Sequence, residues 1–179
     1  EVWINGTDTA LDARWQDDRI FDDMGVVLGF NTGQQYDAET DAALKNRQNN
    51  PLVFTSDCPL SGATENQGFR VLKYPPRVIP VNTNRTPNDY LIWRYADVLL
   101  MKAECEARLG NVAEALAILN GLRNKRNAPD IISAGTQEEI LGKIIIERGL
   151  ELYFEGHRRQ DLIRFGKYLE PKSNKYNTS

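Results

Sequence analysis

From Asn88 onward the apolar residues recur at a helical interval. Ile92, Tyr95, Ala96, Leu99 and Ala103 share one face of a predicted first helix, and Val98, Met101 and Cys105 widen that stripe. A helix apolar over most of its circumference is expected to be covered on more than one side. The same reasoning assigns Trp93 and Tyr95, beside Ile92 and Leu99, to the core.

Gly110 supplies a left-handed helix end. Asn111 then suits an N-cap with Glu114 three residues on, the spacing of a capping box. Val112, Ala115, Leu116, Leu119 and Leu122 fall on one face of the second helix. A loop with Pro129 follows. Thr136 and Glu139 repeat the capping-box spacing at the start of a third helix, which carries Leu141, Ile144, Ile145, Arg148 and Leu152 on one side. Gly149 weakens that helix by about 1 kcal/mol relative to Ala, and Gly156 is predicted to end it. A short fourth helix is expected over about Arg159 to Phe165, closed by Gly166. The tail, residues 169–179, is polar.

The first 88 residues differ in kind. They are rich in Asn, Asp, Thr, Gly and Pro and hold only short structured candidates. Residues 12–21 read as a short helix or an irregular segment, and Val26–Phe30 as a strand. Phe69–Tyr74 and Val78–Val81 are at best edge strands, because prolines adjoin or interrupt them. Asn46–Pro51 and Ser61–Gln67 read as loops. So much irregular chain in a compact domain points to a functional surface or to packing against something outside this chain. The predicted organisation is a loop-rich region 1–88, a helical region 89–168 and the tail 169–179.

The first two helices fit a tetratricopeptide-type hairpin. Ala103 is small where helices approach, Gly110 makes the turn, and Ala115 and Leu119 follow at the expected offsets. One such unit cannot bury both its faces, and no second clear copy is present. Either further units lie outside this segment or the third helix takes a partner's place. The fold class is therefore mostly α: a tetratricopeptide-like helical hairpin plus further helices, with an irregular, loop-rich N-terminal half.

Composition removes several functions. In 179 residues, 22 basic against 25 acidic side chains leave a net charge of −3, which gives no reason to expect nucleic acid or an anionic membrane surface as partner. No apolar run approaches the ~20 residues that cross a bilayer. The start lacks the pattern of a signal peptide, and it is not Met, which fits a mature product or an excised segment. Cys58 lies in a polar loop and Cys105 in the first helix. They read as a loop thiol and a buried small side chain rather than a bridge. One histidine and no cysteine pair at ligand spacing argue against a metal centre.

Several residues invite a chemical reading. Glu147, Glu151 and Glu155 stand at i, i+4 and i+8 on one helix face, and paired carboxylates serve glycosidases. Like charges at that spacing repel, and arginines surround them in sequence. Structural ion pairs are the better reading: Glu147 or Glu151 is expected to meet Arg94, Arg123 or Arg158, with Asp161 in the same charged block. No catalytic residue is assigned. His157 lacks a partner of recognised catalytic spacing and reads as a structural or solvent-facing residue at a helix end. Asp17, Asp18, Asp22 and Asp23 match no calcium loop. Trp3, Trp15, Phe30, Tyr36 and Tyr74 lie in the irregular half. Such rings either plug that half onto the helices or stack on the C–H faces of sugars. Trp3 and Tyr36 are the candidates for ligand stacking, and Trp15 is assigned to packing.

Taken in order, these motifs resemble the C-terminal part of the SusD/RagB family. They are Arg94-Tyr-Ala-Asp97, Leu100-Met-Lys-Ala-Glu104, Ala115 to Asn120 with Arg123, and the block Glu147-Arg148, Glu151-Leu152, Phe154-Glu155-Gly156, Arg158, Asp161-Leu162 and Arg164. Asp12-Ala-Arg14 and Lys73-Tyr74 also resemble pieces of the family. The resemblance implies a non-catalytic, lipid-anchored protein on the outward face of the outer membrane. It would bind glycans or other nutrients, need no cofactor and deliver its ligand to a TonB-dependent transporter. This chain departs from the pattern by lacking the lipid-attachment cysteine, the N-terminal hairpins and the proline-containing tail, and by carrying Arg159 where an aromatic is common. Those departures mark it as a segment whose membrane contact runs only through an anchor it does not contain. The alternative is a tetratricopeptide-type protein-interaction scaffold without a small ligand.

Overall fold

The computed structural model describes residues 12, 14, 20–21, 26–27, 29–37, 40–59, 61–74 and 89–170. The described residues fall into two units. One gathers Asp12, Arg14 and residues 90–170; the other gathers residues 20–74 and Asp89. Trp3, Trp15, the four aspartates between 17 and 23, and the Val78–Val81 segment lie outside the described residues.

The helical unit contains α1 (Tyr95–Arg108), α2 (Val112–Asn124), α3 (Gln137–Glu151) and α4 (Arg158–Arg164). The fold is mostly α. Gly110, at φ +88°, turns α1 into α2 with a backbone that side-chain-bearing residues rarely adopt. α3 packs on both α1 and α2, and α4 on α3. The core between them is Ala96, Leu100, Ala103 and Ala107 from α1, Ala115, Leu119 and Leu122 from α2, and Ile140 and Ile144 from α3. Small Ala103 and Ala107 are fully buried and let the helices approach closely. Each fully buried Leu or Ile contributes about 2 kcal/mol.

Helix boundaries follow local chemistry. Thr136 and Glu139 form a complete capping box: the Glu139 amide donates to Thr136 Oγ1 at 3.2 Å and the Thr136 amide donates to Glu139 Oε2 at 2.8 Å. Asn111 does not cap α2 with its side chain. Its amide donates instead to Glu106 at 2.9 Å, so the sequence-predicted box there does not form. α3 ends at Glu151, five residues before Gly156. The Arg94 guanidinium donates to the Glu151 carbonyl. That occupies the acceptor a further helical turn would need, and the Glu155 amide turns to Leu152 O at 3.2 Å. Asn120 pins the loop before α3 by two hydrogen bonds to the Ile131 backbone, 2.9 and 3.0 Å.

Three expectations about α1 are corrected. Trp93 and Tyr95 are 73% and 75% exposed, not in the core. Val98, Met101 and Cys105 are also exposed, so among the described residues the helix is covered on one side only. The reason is angular: Ala96, Leu100, Ala103 and Ala107 point at α2 and α3, while the second apolar strip lies nearly opposite. Both cysteines are free and exposed, so Cys105 is not a buried small residue.

The second unit is made of short antiparallel pairs. β1 (Ile20–Phe21) pairs with β2 (Val26–Val27), β3 (Gly29–Asn31) with β6 (Arg70–Leu72), and β4 (Gly33–Gln34) with β5 (Val53–Phe54). Polar turns hold the chain between them. Asn46 Oδ1 accepts from the amides of Gln48 and Asn50, both at 3.0 Å, which shapes the loop through Asn49 at φ +64°. Phe30 and Phe69 meet edge to face with centroids 6.4 Å apart, and the Arg70 guanidinium sits 4.8 Å from the Phe54 ring centroid.

Candidate functional site

The charged block of α3 lies inside the helical unit. Glu147 is 1% exposed and accepts one guanidinium on each oxygen: Arg14 on Oε1 at 2.5 Å and Arg123 on Oε2 at 2.6 Å. One turn on, Glu151 Oε1 accepts from Arg94 at 2.6 Å and Arg126 at 2.7 Å, and Oε2 from Arg126 Nε at 3.0 Å. Glu155 lies past the end of the helix rather than on its face. Arg94 Nε still reaches it, at 2.9 and 3.0 Å from its two oxygens. Asp12 grips Arg14 through Nε and Nη2, 2.8 and 2.5 Å, and so aims it at Glu147. Among the described residues, Asp12, Glu147, Glu151 and Glu155 face Arg14, Arg94, Arg123 and Arg126, four acids against four guanidinium groups.

A second cluster is built on the next residue of α3, Arg148. Arg148 Nε donates to Asp161 Oδ2 at 2.9 Å, and its Nη1 stands 2.8 Å from Asp97 Oδ1 without a well-directed hydrogen bond. That contact is Coulombic. Arg164 links Asp161, at 2.8 Å, to Glu104, at 2.6 Å, and Arg108 adds to Glu104 at 2.9 Å. α1, α3 and α4 are thereby joined through one chain of charges.

Burial and the guanidinium partners oppose each other at Glu151 and Glu104. Burial alone would raise the Glu151 carboxyl, but hydrogen bonds and charges from Arg126 and Arg94 outweigh it and hold the group at about 2. Glu104 is likewise lowered, with Arg164 and Arg108 overcoming its desolvation. Arg158 shifts in the opposite direction to Arg14, Arg94 and Arg164. Burial pushes it down against the opposing charge of Asp161, and its Nη1 donates to the Ile145 carbonyl at 2.8 Å. Of the charged residues singled out in the sequence, Arg94, Arg123, Glu147 and Glu151 stand in the first cluster and Asp161 in the second. Arg158 bonds to backbone. Asp12, Arg14, Arg126, Asp97 and Glu104 were not singled out as ion-pair partners. Only the Asp12-x-Arg14 spacing, a carboxylate beside a guanidinium, offers a local signal for two of them.

Chemically, a carboxyl held near 2 is ionised at neutral pH and has no proton to give a leaving group. The arrangement locks helices together. His157 N-caps α4 with its backbone, and its carbonyl accepts from the Asp161 amide at 3.1 Å. Among the described residues no group of His, Cys, Asp and Glu is placed to hold a metal ion, and no helix is long and apolar enough to cross a membrane.

Tyr36 belongs to the second unit. It is 54% exposed and bridges to Ala43 across a turn whose backbone is held by Gln35, Leu44 and Leu52. Amide side chains crowd this unit; Gln34, Gln35, Asn46 and Asn66 all spend hydrogen bonds on its turns. Trp3, the other candidate for stacking, lies outside the described residues.

The sequence model of the SusD family matches residues 4–178. A SusD-like protein of Formosa agariphila is 32% identical over 115 residues, which cover 60% of this chain and 22% of the relative. A second SusD-like protein of that organism is 39% identical over 83 residues, 45% of this chain and 16% of the relative. The starch-binding protein SusD of Bacteroides thetaiotaomicron is 34% identical over 121 residues, 65% of this chain and 20% of the relative. The chain thus spans about a fifth of the length of the curated relatives it matches. No solved structure matches the chain significantly.

Proposed function

The chain belongs to the SusD family, and from that membership we propose that it serves non-catalytic binding of a glycan or other nutrient at the outward face of the outer membrane, for delivery to a TonB-dependent transporter. The observation that carries this reading is the 34% identity to a protein named as starch-binding, over 65% of the chain. The geometry supports it from the other direction. Glu147, Glu151 and Glu155, the carboxylates that most invite a hydrolytic reading, are all committed to guanidinium groups. Recognition is assigned to the second unit, where Tyr36 is 54% exposed, and to Trp3.

A glycan-array screen followed by calorimetry tests the proposal. We expect binding of at least one saccharide, weakened tenfold or more by Tyr36→Ala, a loss of about 1.4 kcal/mol. Failure to bind any saccharide or peptide would favour a second reading, a tetratricopeptide-type protein-interaction scaffold without a small ligand. The exposed apolar strip of α1 speaks for that alternative.

A further inference from the structure

Between α2 and α3 the chain runs from residue 128 to residue 135 without a turn or bend. Side chains of the two helices hold one edge of it. Arg123 Nε donates to the Pro129 carbonyl at 2.7 Å. The Asn120 side chain donates to the Ile131 carbonyl at 3.0 Å and accepts from the Ile131 amide at 2.9 Å. Lys143 Nζ donates to the Ser133 carbonyl at 2.6 Å and, at the end of the segment, to that of Ala134 at 3.1 Å. Pro129, Ile131 and Ser133 recur at every second position, as they would in a β-strand, where successive residues direct their backbone groups to opposite edges. Asn120, Arg123 and Lys143 thus stand where a neighbouring strand would. Pro129 has no amide to pair and sits at the start of the segment, where strands tolerate proline. Ile131 packs against the helical core.

The intervening residues form the other edge. Among the described residues, the backbones of Asp130 and Ile132 make no hydrogen bond. Both residues are exposed, Ile132 to 98%. The bonds along the inner edge already fix the segment, so little further order is lost when the outer edge is paired. An unpaired amide and carbonyl on each of two residues, i and i+2, match the backbone of one more extended chain. A saccharide brings hydroxyls but no such repeat. We propose that residues 129–133 dock an extended peptide segment of a partner protein by strand addition, pairing at Asp130 and Ile132. The side chains of those two residues share a face. The partner therefore carries a basic residue across from Asp130 and a β-branched residue across from Ile132. The inference goes beyond the glycan reading and does not depend on it.

The probe is the capped peptide Thr-Lys-Thr-Val-Thr-Lys-Thr, whose pattern is the same in either strand direction, added to the 179-residue chain. Hydrogen exchange followed by NMR reads the pairing. At saturating peptide, exchange at the Asp130 and Ile132 amides should slow about tenfold, while the Ile131 amide, already bonded to Asn120, keeps its rate. The same peptide N-methylated at its valine and lysines keeps every side chain but loses the donors, and should protect neither amide. Ile132→Pro removes an amide that bonds to nothing. It should leave the melting temperature unchanged and abolish the peptide's effect at Asp130. The proposal is overturned if the peptide leaves both amides unprotected, if the N-methylated peptide protects them equally, or if maltoheptaose protects them in its place. It is also overturned if light scattering shows that the chain alone dimerises with both amides protected, which would assign the edge to a second copy.

Discussion

Arg14 Nη1 lies 2.5 Å from Glu147 Oε1, although 133 positions separate the two residues. Both side chains are withdrawn from water, at 7% and 1% exposure. Asp12, two residues from Arg14, fixes the guanidinium. A segment of the loop-rich N-terminal half is thus part of the helical core.

Removing Arg14 leaves Glu147 with Arg123 as its remaining guanidinium partner in a site closed to solvent. Breaking a buried pair by deleting one member costs about 3 kcal/mol. Arg14→Ala is therefore expected to lower the stability of the helical unit by that order in urea unfolding. Arg47→Ala is the control. Its guanidinium is 86% exposed and 3.9 Å from Glu65, so the change should stay within about 0.5 kcal/mol. Equal effects for the two variants would contradict the ion-pair account.

Acid should unfold the helical unit through Glu151. Its folded value of about 2 lies below the ordinary 4.5. A depressed carboxyl stabilises the fold fully above its unfolded value, and the contribution is lost as pH falls through the folded one. Stability should therefore decline between pH 4.5 and 2, by an amount on the order of 3 kcal/mol for this group. Glu104 shifts the same way and adds to the decline. In Glu151→Gln the pH profile should be flatter over that window, with lower stability at pH 7. A profile as steep as that of the unmodified chain would remove Glu151 from the account.

Phe154 holds a left-handed backbone, φ +61°, with its ring 78% exposed. That conformation costs a non-glycine residue about 1–2 kcal/mol, and the ring recovers little of it from burial. Phe154→Gly should raise the thermal midpoint, by the equivalent of about 0.5–1 kcal/mol after the glycine's own entropy is counted. Destabilisation would show that the ring contributes packing that its exposure conceals.

Gly135 precedes the capping box at φ +72°, and a Cβ there would stand 1.8 Å from Glu139 Oε2. Gly135→Ala should displace the Glu139 side chain and cost about 1–2 kcal/mol in thermal unfolding, from the strained backbone and the lost cap together. The cost should shrink in a Glu139→Ala background, because the box is already gone and the clash with it.

What the sequence disclosed was local. Thr136 and Glu139 cap α3 within four residues, and Gly110 turns one helix into the next; neither needs the rest of the fold. The two-sidedness of α1 was not read: Tyr95 and Val98 were grouped with Ala96 and Ala103 in one broad stripe, whereas the structure exposes the first two and buries the others. Which side would be covered was not visible: periodicity groups residues into faces but says nothing of how many neighbours arrive. Trp93 and Tyr95 were placed in the core for that reason. The charged block was legible as a collection of acids and arginines. Part of its pairing was legible too: Glu147 meets Arg123 and Glu151 meets Arg94, as the spacing leads one to expect. The part played by Arg14 and Arg126 was not, because Arg14 comes from a distant stretch of chain and Arg126 lies just past the end of α2. The end of α3 was missed because a side chain from another helix, Arg94, takes the carbonyl at Glu151.

The Arg14–Glu147 link also sets an order of events during synthesis. Arg14 leaves the ribosome 133 residues before Glu147. Until then Arg14 has no acid on α3 to meet, and the entire stretch between must be held open for it. A contact closing so long a loop slows folding. It exposes the waiting apolar surfaces of α1 and α2 to chance encounters, the circumstance in which chaperones are engaged.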